Sequence, residues 1–157
     1  ELALAGGLKD WEGEPGGRLA LIILLDQFTR NIFRGTPRAF AGDPRAAKLA
    51  RRGQIMDMFR GLPLIQRVFA LMPLEHSELL SDQALCVKEM ARLYQLASDE
   101  DKPRFQSFVR YAQEHKAIIE RFGRFPHRNE ALSRVSTENE RRFLVGAKTY
   151  GQSKSVT

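Results

Sequence analysis

Cysteine is nearly absent: Cys86 is the only one in 157 residues. No internal disulfide can form, and no cysteine spacing suits a zinc site. Cys86 lies in a helical pattern among Ala84, Leu85 and Val87, so it reads as a small buried thiol rather than a catalytic thiolate. Such cysteine usage fits the cytosol, and a cytoplasmic location is expected. Long apolar runs are missing as well. Leu19–Leu25 falls far short of the ~20 residues that a membrane-spanning helix needs, so no membrane partner is expected. There is no secretory signal, although the start at Glu1 rather than Met suggests missing N-terminal sequence. Strand signals are scarce. Alternating patterns are short, β-branched residues few, and long stretches follow the helical period. No serine-hydrolase elbow, phosphate-cradling loop or dinucleotide fingerprint occurs. No two histidines have the i, i+4 spacing of a helical zinc site, so neither a metal nor a cofactor is expected.

What remains is a helical, basic chain. It is 43% hydrophobic and 28% charged, a globular composition, and its length suits one domain over residues 1–157. The formal charge is +6, from 25 basic and 19 acidic residues. The basic residues are dispersed and interleaved with acids, without a Lys/Arg run or nucleic-acid motif, so nucleic acid is disfavoured as a partner.

The fold class read from the pattern is all-α, built of successive antiparallel helix pairs. The Glu14-Pro15-Gly16-Gly17 turn precedes a first helix of about 17–33, ended by Gly35-Thr36-Pro37. Asp43 reads as an N-cap before Pro44, opening a second helix of about 44–60 with Ala46, Leu49, Ala50, Met56 and Phe59 inward. Pro63 opens a third helix with Ile65, Val68, Phe69 and Met72 as its apolar face, and Pro73 closes it. A connection at Leu74–Ser77 leads to a helix reaching about Leu96. Pro103 begins another, about 103–122, which Gly123 stops. Thr137 and Glu140 have capping-box spacing for a last helix. The polar tail from Gly146 reads as loose.

The first helix carries the most information. Residues 18–25 are apolar almost all round, which in a globular protein means burial. Asp26, Gln27, Arg30, Asn31 and Arg34 then follow along it. Spacings of three, four and seven align Gln27, Arg30, Asn31 and Arg34 as one ridge, and Asp26 reaches Arg30 at i, i+4. Buried polar groups need partners, so a network or a ligand must lie opposite. His115 occupies a core-facing helical position, His76 follows Glu75 in a connection, and His127 follows Pro126 in another. Each is a candidate proton carrier. The Arg121–Asn129 segment gathers arginine, phenylalanine and turn residues, reading either as a helix-ending turn or as an anion-binding corner.

Three segments in this order carry a resemblance. Leu25-Asp-Gln-Phe-Thr-Arg-Asn31 with Arg34-Gly-Thr36, Glu75-His-Ser-Glu78 with Gln83, and Phe122-Gly-Arg-Phe-Pro-His-Arg-Asn129 together resemble the bacterial Domain of Unknown Function 924 family. The resemblance implies an all-α, tetratricopeptide-repeat-like fold and no established activity. It marks Asp26, Gln27, Arg30, Asn31, Arg34, Glu75, His76, Ser77, Gln83, His115, Arg124, His127, Arg128 and Asn129. The chain departs from the family pattern at Thr29, where proline is usual, and at Leu74 and Leu79. Thr29 should straighten or better bond the helix middle. Members usually begin with a further aromatic-rich helical segment. Without it an apolar face is bare or met by another copy, so homo-oligomerisation stays open.

The leading expectation is a pocket for a small anionic or polar molecule. Gln27, Arg30, Asn31, Arg34, Glu75, Arg124, Arg128 and Asn129 would bind it, with Arg30 or Arg124 on the anion. His76, His115, His127 and Asp26 would serve any catalysis. One alternative is a peptide- or protein-binding module of tetratricopeptide-like helices. Another is a purely structural polar network, every donor satisfied by protein and no cavity left.

Overall fold

Proline and glycine set the helix ends. The computed structural model describes residues 1–146, which form helices and turns with no strand among them. The tail beyond Gly146, expected to be loose, lies outside the described residues.

Helix α1 (Pro15–Ile23) begins earlier than the sequence suggested, because Pro15 occupies the first turn, where its missing N–H costs nothing. A π turn, Leu24–Phe28, joins it to α2 (Thr29–Ile32). Two rows at a spacing of four, Leu21-Leu25-Thr29 and Ile22-Asp26-Arg30, stay turned inward along this rod. A regular helix of about 3.6 residues per turn would rotate such rows outward, and the wider π turn delays that rotation. The Thr29 hydroxyl donates to Leu25 O at 2.7 Å. The threonine therefore does bond the helix middle, but it does not straighten it into a plain α-helix.

A short turn at Pro37–Phe40 leads into α3 (Asp43–Ile55). Gly42 makes this approach possible, since a Cβ there would lie 2.1 Å from Leu25 O. The helix ends before residue 60, leaving Met56 exposed and Phe59 buried beyond it. In α4 (Leu64–Glu75) Pro73 lies inside the last turn rather than closing the helix, so Leu74 and Glu75 are helical and His76 is the C-cap. Helix α5 (Leu80–Leu96) packs against both α4 and α6 (Lys102–Phe122). Gly123, at φ 68°, ends α6 as expected. The capping box at α7 (Glu138–Leu144) has both of its bonds, Glu140 N to Thr137 Oγ1 at 3.2 Å and Thr137 N to Glu140 Oε2 at 2.7 Å.

The core gathers Leu21, Ile22 and Leu25 with Ala50, Leu71, Leu74, Met90 and Leu93. Cys86 is fully buried within it, and burial pushes its thiol up, which agrees with an inert thiol. No helix among the described residues is long and apolar enough to cross a membrane. Because α5 runs back between them, α4 and α6 point the same way, with their C-terminal ends together. The polar residues converge at that end.

Candidate functional site

The inward row of the π turn delivers Asp26, which is 1% exposed. Its Oδ1 lies 2.8 Å from His76 Nδ1, its Oδ2 accepts from Gln27 Nε2 at 2.5 Å, and Arg30 approaches within 3.5 Å. Burial would raise the Asp26 pKa, but His76, Arg30 and Gln27 outweigh it and hold the carboxyl at about 2. Burial pushes the His76 imidazole down by more than Asp26 lifts it, so the pair is a carboxylate beside a neutral ring. A carboxylate only accepts, so Nδ1 must carry the proton and Nε2 the lone pair. Asp26 thereby fixes both the tautomer and the orientation of His76.

A second layer backs this dyad. Asp43 was expected to be an N-cap, but Gly42 takes that position. Its carboxylate instead receives Arg30 at 2.7 and 3.0 Å and Arg128 at 3.2 Å. The Arg128 guanidinium lies over the rings of Phe125 and Phe40, 4.5 and 4.9 Å from their centroids, and donates to His76 O at 2.8 Å. Burial, and then Arg30, lowers the Arg128 pKa to about 10, which leaves it charged at neutral pH. Arg30 is raised, because Asp26 and Asp43 overcome its burial.

Beside this cluster lies a cavity of about 430 Å³ between α4 and α6, with Met90 of α5 in its lining. Ile65, Val68, Phe69 and Met72 of α4 face Phe108 and Tyr111 of α6 across it. At the polar end are Glu75, His76, His115, His127, Arg30 and Arg128. His115 Nδ1 is 2.8 Å from Tyr111 O, a carbonyl that can only accept, so this ring also holds its proton on Nδ1. Its centroid is 6.2 Å from that of His76, and Glu75 Oε1 is 3.6 Å from its Nδ1. Burial lowers His115 to about 4. Burial, followed by Arg128 and His115, lowers His127 to about 3. Burial, with Asp26 and Glu114 adding to it, raises Glu75 to about 8. The end of the cavity therefore carries three neutral imidazoles and a protonated carboxyl at neutral pH.

The predicted site residues divide. Arg30, Glu75, His76, His115, His127 and Arg128 line the cavity, and Asp26 stands directly behind His76. Gln27 only backs Asp26. Asn31 and Arg34 are exposed and bond each other at 3.1 Å, away from the cavity. Arg124 faces α7, where it clamps Glu140 at 2.6 and 2.8 Å and bonds Val135 O at 2.8 Å. Asn129 is buried between Ser136 and Arg134 and holds the 129–136 loop. These five do not line the cavity, because each is committed elsewhere. Ser77 Oγ accepts from Leu79 N at 3.2 Å, and Gln83 Nε2 donates to Glu75 O and Ser77 O, so both shape the α4–α5 connection.

Sequence reasoning missed Asp43, Phe40, Arg104 and Tyr111. For the last two a signal existed: Arg104, Phe108, Tyr111 and His115 recur at spacings of four, three and four, one face of a helix. Among the described residues no three His, Cys, Asp or Glu side chains are grouped as a metal ion would require.

A family model described as bacterial protein of unknown function (DUF924) matches residues 1–147. The chain belongs to that family. DUF924 is thus shown by the whole helical region and not only by the three polar segments. A solved structure of a protein of unknown function, ATU0120 from Agrobacterium tumefaciens, is similar at 36% identity and a TM-score of 0.75. The match covers 89% of this chain and 73% of that one. No curated protein matches the chain. Family and fold are therefore secure, and neither brings a reaction with it.

Proposed function

We propose that this DUF924 chain is a cytoplasmic protein whose α4–α6 cavity binds a small molecule with an apolar body and a polar head. The observation that carries this reading is the meeting of an apolar wall with the oriented Asp26–His76 pair at one end of a single cavity. A volume of about 430 Å³ suits a small ligand rather than a peptide backbone. A purely structural network accounts for the ion pairs among Asp26, Arg30, Asp43 and Arg128, with Arg128 Nε alone left buried and unbonded, but not for the space beside them. Beside His76 a polar head is favoured over an anionic one, because both buried arginines there are already occupied by Asp43, and the third arginine of the lining, Arg104, is exposed at the start of α6. Where the ligand reacts, His76 Nε2 is the proton acceptor and Asp26 the positioning residue.

Isothermal titration with hexanol, hexylamine and hexanoate tests the cavity. Met72→Trp fills it from α4 and should abolish binding while the protein still unfolds cooperatively. Binding that survives Met72→Trp unchanged would place the ligand elsewhere.

A further inference from the structure

One carboxyl at the polar end of the cavity has no cation of its own among the described residues. Glu75 is 8% exposed, and among the described residues no lysine or arginine forms an ion pair with it. The groups around it offer none. Asp26 comes from the π turn and Glu114 from α6, both negative and both opposing its ionisation. His115 of α6 stands 3.6 Å away, but its Nδ1 proton is given to Tyr111 O. The Cys86 thiol approaches from α5. His76 adjoins Glu75 in the chain, and His127 stands with Arg128 on the 126–128 turn. Arg30 of α2 and Arg128 are the cations beside it, and Asp26 and Asp43 already neutralise them: two positive groups, two negative. Ionised, Glu75 would add an unbalanced charge to these four. Arg104, exposed, lines the cavity from the first turn of α6, far along that helix from His115.

A buried carboxylate without a counter-ion is costly, and a ligand that supplies the missing charge removes that cost. His76 adds a second acceptor, because its Nδ1 proton is held by Asp26 and its lone pair is therefore on Nε2. Both residues line the cavity. Its aromatic lining from Phe69, Phe108 and Tyr111 tolerates positive charge as well as apolar surface.

The geometry points to an organic amine as the ligand of this cavity: an ammonium head between the Glu75 carboxylate and His76 Nε2, with its apolar body along α4 and α6. This rests on the small-molecule reading of the same cavity. An ammonium brings three donors and one positive charge, matching two acceptors and one uncompensated acid. An acidic head would instead meet an imidazole lone pair and a carboxyl whose proton is already its best feature. The proton balance is explicit. The protonated Glu75 gives its proton to solvent, and the carboxylate formed pairs with the ammonium.

Titration of wild-type protein with hexylamine, hexanol and hexanoate, in buffers of different ionisation enthalpy, tests this. Hexylamine should bind tightest and release close to one proton below pH of about 8. Its affinity should rise about tenfold per pH unit up to that value, then level off. Glu75→Gln keeps the shape and removes the acid. It should weaken hexylamine at least about tenfold, abolish proton release and remove the preference for hexylamine over hexanol. If hexanol or hexanoate binds as tightly as hexylamine, or if Glu75→Gln keeps the amine affinity, the amine inference fails and the pocket stands. If none of the three binds, both fail.

Discussion

Two groups of charges are buried side by side at the end of α4, and they differ only in their partners. In the layer behind His76, Arg30 and Arg128 grip Asp43 while Asp26 receives His76. Across the cavity wall, Glu75 is nearly as buried and has no such grip. The outcome is opposite for two carboxyls of similar burial: Asp26 at about 2 and Glu75 at about 8. Burial penalises both, and hydrogen bonds with opposite charge reverse that penalty for Asp26 alone. Apart from Arg128 Nε, the paired layer is what a structural network looks like, and the unpaired wall is where a ligand has something to add.

The sharpest way to break this contrast is to give the paired layer the defect of the other. Asp43→Ala leaves Arg30 and Arg128 buried with one shared acid gone. It should cost about 4 kcal/mol of unfolding free energy in urea, because an unpaired buried charge is worse than an absent pair. A loss below about 1 kcal/mol would show the pair behaving as if exposed, and the layer would not be the structural unit described.

Next comes the reverse operation, relieving the wall. Glu75 ionises at about 8 in the folded chain against an ordinary 4.5, so between those values the folded state holds a proton that the unfolded state has released. Stability contributed by that proton is complete below pH of about 4.5 and is lost as pH rises through about 8. Without ligand, Glu75→Gln should therefore match wild type in acid and exceed it above pH 8, by up to about 5 kcal/mol. Melting curves across that range measure it, and parallel curves would mean that Glu75 is already compensated.

Much of this was legible in the sequence, and the parts that were not have physical reasons. Helix number, the Gly123 stop and the Thr137 capping box follow from local chemistry. The convergence of Asp26, His76, His115 and His127 could be suspected from their apolar surroundings, but it depends on long-range packing. Asp43 was misread because Asp-Pro is a good helix start, and nothing local tells that its carboxylate faces two arginines. The face Ile65, Val68, Phe69 and Met72 was legible as apolar, but apolar periodicity does not distinguish a core from a cavity wall. The π turn also escaped, and it changes which stripe residues point inward.

That last point sets up the smallest expected effect. The polar stripe was one ridge in an ideal helix, yet the rod divides it: Asp26 and Arg30 turn inward, Asn31 and Arg34 outward. Arg34 bonds only its neighbour three residues back among the interactions described, and both are exposed. Arg34→Ala should change unfolding free energy by no more than about 0.5 kcal/mol. It should leave hexylamine binding as in wild type, since ionic screening weakens what an exposed guanidinium contributes at a distance. If Arg34→Ala instead weakened binding as much as Glu75→Gln, the two halves of the stripe would be acting together. The division between an inward, paired layer and an outward, solvated one would then be wrong at its root, because the same rotation that buries Asp26 is what carries Arg34 away from the cavity.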